Sequence, residues 1–139
     1  MADPFELQRF VDAQAPVHER VRQELKVGRK QSHWMWFIFP QIAGLGQSPM
    51  SIRFAIGSLD EAKAYLAHPV LGARLRECAR LTLDVEAKTA RDIFGSIDEI
   101  KFRSSMTLFA RAAPDEDIFQ RCLDKYFAGS PDPAMLARL

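Results

Sequence analysis

A lysine and two serines interrupt an apolar face in the segment SIDEIKFRSSMTLFA, residues 96–110. At about 100° per residue, the apolar side chains of this segment cover more than half of a helix surface. They are Ile97, Ile100, Phe102, Met106, Leu108 and Phe109. Lys101, Ser104 and Ser105 fall within that arc. Because a cation loses hydration in apolar surroundings, Lys101 needs a partner or a ligand, and it is the first candidate for chemistry.

Three explanations of Lys101 follow from its position. In the first, the ammonium group reaches the surface and only the aliphatic stem is buried. In the second, the ammonium group pairs with an internal carboxylate such as Asp12 or Glu24. In the third, it faces a cavity that accepts an anionic ligand. The sequence leaves these three open.

A second chemically suggestive segment is GRKQSHWMWFIFPQ, residues 28–41, which has four aromatic side chains within six residues. Such clusters usually form core. The indole N–H groups of Trp34 and Trp36 each need an acceptor, however, so one of these rings is expected at a pocket wall. His33 stands close to Arg29 and Lys30. It is either a capping or packed histidine, or a general acid/base or phosphate contact.

Together the two segments predict a site for a small anionic metabolite or a nucleotide-like molecule. Its predicted residues are Lys30, His33, Trp34, Trp36, Lys101, Ser104 and Ser105. The sequence does not decide whether the protein is an enzyme. If a reaction takes place, His33 and Lys101 are the candidate catalytic residues, and Asp98 or Glu99 supplies a carboxylate. Hydrolysis or cleavage of an N-glycosidic bond is then the expected reaction class.

The alternative function is a non-catalytic protein–protein interaction module, in which the aromatic segment 33–40 forms a groove for a partner. A third possibility is a purely structural cluster. Polar groups that converge in a concave pocket favour the ligand site, whereas a flat apolar patch above a few hundred Å² favours the module.

Composition and motifs argue against several classes. With 19 Lys and Arg against 18 Asp and Glu, the net charge of +1 gives no drive toward general nucleic-acid binding. No cofactor or metal motif is present, so neither is predicted. The longest apolar run, residues 34–40, is far shorter than the ~20 residues of a membrane span, and residues 1–10 do not resemble a signal peptide. Cys78 and Cys122 are expected as buried, reduced thiols of a cytoplasmic protein.

Helices are the elements predicted to position these residues. Apolar residues recur at helical spacing between capping residues, and strand-like alternation is missing. The predicted segments are 5–15, 16–28, 49–57, 59–68, 69–86, 96–112 and 114–129, with a short turn from Thr89 to Gly95 and a last turn at Asp132 and Pro133. The prediction is a single all-α domain, residues 1–139, of six to eight short helices.

The aromatic segment is predicted to form one short helix of this domain. Ser32 would be its N-cap. The helix would end near Ile38, because Pro40 disfavours the α conformation at Phe39.

Four stretches of the chain are similar to domain-of-unknown-function family 1810, a bacterial family sometimes labelled calpastatin. They are FELQRFVDAQ, GRKQSHWMWFIFPQIAGLGQSP, AIGSLDEAKAYLAHPVLGARLREC and IFGSIDEIKFRSSMTLFA. The resemblance covers nearly the whole chain and implies a single, mainly α-helical domain. It implies no catalytic residue and no activity. The calpastatin label does not fit, because an inhibitor of that kind would be a disordered, polar chain, unlike this one.

Overall fold

The computed structural model describes residues 3–139, which form nine helices. They are α1 (Gln8–Gln14), α2 (His18–Val27), α3 (Met35–Ile38), α4 (Pro49–Arg53), α5 (Leu59–Ala67), α6 (Leu71–Leu83), α7 (Ala90–Ala112), α8 (Ile118–Phe127) and α9 (Pro133–Leu136). The all-α class is confirmed. The number of helices exceeds the predicted six to eight because the last turn, predicted at Asp132 and Pro133, forms a separate four-residue helix, α9.

Capping residues set several helix starts. The hydroxyl of Ser58 accepts a hydrogen bond from the N–H of Glu61 at the start of α5, and Ser48 and Asp132 cap α4 and α9 in the same way. Pro114 was predicted to open the next helix, but α8 begins at Ile118, with Asp117 at its N-cap. Residues 113–117 instead form the connection from α7.

Helix α7 lies at the centre of the fold and packs against α3, α5, α8 and α9. Its C-terminal half is buried on nearly every side, so Ser104 and Ser105 are fully buried. Ile97 and Ile100, predicted on a buried apolar arc, are instead 71% and 62% exposed. Burial therefore follows position along this helix more than position around it, because the neighbouring helices surround mainly the second half.

Helix α7 is bent at Gly95, whose φ of 86° and ψ of 169° are not helical. Such dihedral angles are essentially restricted to glycine. The helix begins with a capping box, in which Thr89 and Asp92 each accept a hydrogen bond from the other's backbone N–H. The turn predicted from Thr89 to Gly95 is thus the first segment of α7, and residues 96–112 form the second.

The aromatic segment is shorter as a helix than the sequence indicated. Helix α3 begins at Met35 with Trp34 at its N-cap, so the prediction of Ser32 as N-cap is wrong. It ends at Ile38, and Phe39 leaves the helical conformation just before Pro40, as predicted. Phe39 then packs edge-on against Phe102 at 5.0 Å between ring centroids, which anchors α3 to α7.

The interior of the described chain is one continuous apolar cluster, to which all of the longer helices contribute. The two cysteines lie within it as free thiols, as predicted. Burial raises the pKa of Cys78 and that of Cys122 to about 12, so both thiols stay protonated at neutral pH.

Candidate functional site

The buried carboxylate of Glu24 on α2 organises the loop between α2 and α3. Its Oε1 accepts hydrogen bonds from the N–H of Gln31 at 2.7 Å, the N–H of Ser32 at 3.0 Å and the indole N–H of Trp34 at 3.0 Å. Its Oε2 accepts a hydrogen bond from the hydroxyl group of Ser32. Because four donors converge on one side chain, Glu24 fixes the path of residues 30–36.

These hydrogen bonds also keep Glu24 ionised. Burial alone raises the pKa of this carboxyl, but the bonds from Ser32, Gln31 and Trp34 outweigh it and lower the pKa from 4.5 to about 2. The negative charge of Glu24 is thus stabilised by hydrogen bonds from the loop. Glu24 and Asp12, predicted as possible partners of Lys101, do not pair with it, and Lys101 lies beside Asp98 instead.

Residues of this loop and of α7 enclose a cleft of about 380 Å³. One wall is formed by Lys30, His33, Met35 and Trp36, and the other by residues 94–98 and Lys101. The backbone N–H of Lys30 donates to the carbonyl of Ile93 at 2.8 Å, which ties the loop to α7 beside the bend. The cleft therefore combines the two segments that the sequence singled out.

Two ammonium groups share one carboxylate in this cleft. Lys30 Nζ lies 2.9 Å from Asp98 Oδ2, and Lys101 Nζ lies 3.8 Å from Asp98 Oδ1. The side chains of Lys30, Asp98 and Lys101 are 8%, 19% and 20% exposed. Each ammonium group also stands over an indole ring, Lys30 over Trp34 at 5.1 Å and Lys101 over Trp36 at 5.3 Å from the centroid. The cleft thus has one positive charge in excess before His33 is counted.

The cleft brings together four of the seven predicted binding residues: Lys30, His33, Trp36 and Lys101. His33 is exposed and Trp36 partly buried. Trp34, Ser104 and Ser105 do not line the cleft, and all three are fully buried in the core. Trp34 packs there with its N–H bonded to Glu24. Of the two proposed carboxylates, Asp98 faces the cleft, whereas Glu99 pairs with Arg91 at 2.9 Å.

Three polar groups near the cleft and in α7 lack a partner. Within residues 3–139, the indole N–H of Trp36 and the hydroxyl groups of Ser104 and Ser105 are buried without a hydrogen-bond partner. The Trp36 N–H is buried, so an acceptor reaches it only after a neighbouring group shifts. Buried donors of this kind are unusual in folded proteins.

Two larger clefts, of about 560 and 620 Å³, have the opposite charge balance. The first is lined by two arginines and three acidic residues, with Arg76 paired to Glu116. The second is also lined by two arginines and three acidic residues, with Arg9 paired to Glu61. Size alone would favour these clefts, but in each of them the carboxylates outnumber the cations, which makes them poorer anion sites.

Two features of the site were missed by sequence reasoning. Glu24 was considered only as a partner for Lys101. It lies seven residues before Gln31, so no local sequence pattern indicated that its carboxylate anchors the loop. Gly95 was interpreted as the end of a turn, and it forms the bend that directs residues 96–101 toward the loop. The spacing of Asp98 and Lys101, three residues apart on a helix, was the detectable signal of their contact.

Replacing Gly95 with alanine is expected to lower the free energy of unfolding by about 2 kcal/mol, because the bend requires a backbone conformation that alanine disfavours. Among the described residues, no atom lies within 4 Å of the added Cβ, so steric overlap contributes nothing. Urea unfolding of Gly95→Ala measures the effect. Ile97→Ala, in the same exposed segment, is the control and should change stability little. Equal stabilities of Gly95→Ala and wild type would contradict the bend.

The part of the chain that the structure describes shows neither a membrane-spanning helix nor a cluster of metal-binding side chains. None of the helices formed by residues 3–139 combines the length and apolarity needed to cross a bilayer. Within the same part of the chain, no three histidine, cysteine, aspartate or glutamate side chains converge as a metal ion would require.

The fold and the cleft define a small all-α protein in which two lysines, one carboxylate and an indole line a surface cleft. The family model described as "Protein of unknown function (DUF1810)" matches residues 4–139, and the chain belongs to this family. The resemblance noted from the sequence is thereby confirmed.

One solved structure of the same fold is that of the conserved hypothetical protein Rv1873 from Mycobacterium tuberculosis. The two chains are 52% identical, with a TM-score of 0.97, and the similarity covers 99% of this chain and 98% of that one. No functionally curated protein matches the chain.

Proposed function

We propose that the protein binds a small anionic ligand in the cleft between the α2–α3 loop and α7. The observation that carries this proposal is the sharing of Asp98 by Lys30 and Lys101, which leaves one ammonium charge without a full counter-charge. Cations held in a concave, partly buried site attract an anion more strongly than exposed cations do.

Lys101 is the cation free to take the ligand. Its distance of 3.8 Å from Asp98 is at the edge of an ion pair, whereas Lys30 sits at 2.9 Å. When Lys101 turns to an anion, Asp98 therefore keeps Lys30 as its partner, and no buried charge is left alone. Binding of a ligand oxygen by Lys101 therefore has a small free-energy cost for the rest of the protein.

The remaining wall residues favour a ligand over a protein partner. In the aromatic segment 33–40, six of the eight residues are buried, and only His33 and part of Trp36 reach the surface. This segment offers no wide apolar face to a partner, so the geometry supports the interaction module less well.

A reaction is the further stage of this proposal. His33, exposed at the rim of the cleft, is the candidate acid/base for hydrolysis or N-glycosidic cleavage. Asp98 is engaged by two lysines and is poorly placed to orient His33 at the same time. We therefore place binding before turnover. The expected cytoplasmic location is compatible with two free, buried thiols.

Lys101→Met is expected to keep the stability of the wild type within about 1 kcal/mol, because Asp98 retains Lys30. The same change is expected to remove the thermal shift caused by an anionic ligand. The measurement is a thermal-shift screen of both proteins with nucleotides, ADP-ribose, phosphorylated metabolites and carboxylates. A ligand present at 100 times its Kd adds about 2.7 kcal/mol to wild-type stability, which is several degrees in Tm.

Lys63→Met is the matched control, since Lys63 is an exposed lysine on α5 that does not line the cleft. It should respond to each ligand as the wild type does. A wild-type profile without any shift across the panel would contradict the proposal, as would an equal loss in the two lysine variants.

A further inference from the structure

We infer that the ligand of this cleft is an apolar monoanion, a single carboxylate on an aromatic or aliphatic body, rather than a nucleotide polyphosphate. This inference rests on the proposed function and narrows its ligand class. It follows from the net charge of the cleft and from the apolar side chains that surround its cations.

The charge balance of the cleft matches one negative charge. Lys30 and Lys101 bring two positive charges and Asp98 brings one negative charge. A monoanion neutralises the remainder, and its carboxylate oxygens replace the distant Asp98 contact of Lys101. A ligand with two or more negative charges brings excess charge next to Asp98, in a place where the low local dielectric strengthens repulsion.

The apolar part of the ligand is inferred from the walls. Met35, Trp36, Phe94 and Ile97 line the cleft beside the cations. Ile97 is 71% exposed at the rim, although it is a large apolar side chain. A bound apolar body would cover it and remove that surface from water. A volume of about 380 Å³ lies at the small end of ligand pockets, which also disfavours a bulky dinucleotide.

The test is isothermal titration calorimetry of the wild-type protein at pH 7.5 with matched probes. Three apolar acids, 3-phenylpropionate, indole-3-acetate and octanoate, carry one charge on different bodies. Neutral 3-phenylpropionamide removes the charge, acetate removes the body, and phenyl phosphate and AMP supply close to two charges. We expect at least one apolar acid to bind about tenfold or more tightly than the amide, acetate, phenyl phosphate and AMP.

Two exposed isoleucines provide a matched pair of variants. Ile97→Ala should weaken binding of the apolar acid by about fivefold, because it removes part of the wall. Ile100→Ala should leave that binding unchanged, since Ile100 is 62% exposed but lines a different groove with Phe127. Both side chains are exposed, so neither change should prevent folding.

Asp98→Asn provides a second variant that changes the charge of the cleft. It raises the excess charge from one to two, so phenyl phosphate should gain affinity relative to the apolar acids. If Asp98→Asn does not fold, the pair of isoleucine variants still decides the question.

The outcomes separate the inference from the proposed function. Tighter binding of phenyl phosphate or AMP than of all three apolar acids, abolished by Lys101→Met, would overturn the monoanion inference and leave the anion site intact. No binding of any of the three apolar acids would overturn the monoanion inference, and a flat thermal-shift profile across the wider anion panel would overturn the proposed function as well. Equal effects of Ile97→Ala and Ile100→Ala would also overturn the inference, because the apolar wall would then play no part.

Discussion

Glu24→Ala is expected to lower the free energy of unfolding by about 3–5 kcal/mol, the largest effect of a single side chain near the cleft. The change leaves four donors of the α2–α3 loop without their acceptor, including the indole N–H of Trp34 in the core. Water can reach the exposed Gln31, but not the fully buried Trp34. Urea unfolding at pH 7 measures the loss.

Glu24→Gln separates the charge of this side chain from its shape. The amide keeps an acceptor oxygen and has no titrating proton. Since the folded pKa of Glu24 is about 2 and its ordinary value is 4.5, its ionisation stabilises the fold fully above pH 4.5. That stabilisation, about 3 kcal/mol, is lost as the pH falls from 4.5 to 2. The wild type should therefore lose more stability than Glu24→Gln over this interval.

The control for both variants is Glu19→Ala, on the same helix. Glu19 is exposed and pairs with Arg22, so its removal should cost far less stability than the removal of Glu24. Parallel pH profiles of the wild type and Glu24→Gln would show that Glu24 does not carry the acid dependence. Stability of Glu24→Ala close to that of Glu19→Ala would contradict its role in the loop.

Gly72→Ala is expected to lower the free energy of unfolding by about 3 kcal/mol, because the added Cβ would overlap with the backbone of α5. A Cβ at this position would lie 2.1 Å from the carbonyl oxygen of Leu66, at the end of α5. The same oxygen accepts a hydrogen bond from Arg76 at 3.2 Å, so it cannot turn away freely. Helix α6 must shift relative to α5, and urea unfolding with circular dichroism measures the cost.

Gly57→Ala is the matched control for this change. The added Cβ would meet only the carboxylate of Glu61, at 3.3 Å, and a flexible side chain gives way more easily than a backbone carbonyl. Its cost should be well below that of Gly72→Ala. Equal costs for the two glycines would mean that α5 and α6 do not approach as closely as described.

Fold class was predictable because helix caps and apolar spacing are local signals. Helices α4, α5 and α9 begin where the sequence predicted them, capped by Ser48, Ser58 and Asp132. The burial of α7 was not predictable in the same way. Ile97 is exposed instead of buried, and Ser104 is buried in the core instead of lining the site. The neighbours of a central helix come from distant parts of the chain, and helical periodicity carries no information about them.

The segments that form the candidate site could be predicted from the sequence, but the individual residues that line it could be predicted only in part. Lys101 stood out because a cation on an apolar arc is anomalous in any fold, and it lines the cleft. Trp34 and Trp36 are chemically alike and two residues apart, yet only Trp36 reaches the cleft. The difference between them is the hydrogen bond from the N–H of Trp34 to the buried carboxylate of Glu24. Sequence patterns do not encode this contact.

The bond between the N–H of Lys30 and the carbonyl of Ile93 has a consequence for how the cleft moves. This amide proton belongs to no helix and joins the two walls directly, so it exchanges with deuterium only when the walls separate. Its exchange rate therefore reports how often the cleft opens in the wild type, and NMR can measure this rate at a single residue. A ligand that holds the walls together should slow this exchange, while amides of α8, which contributes no residue to the cleft, keep their own rates.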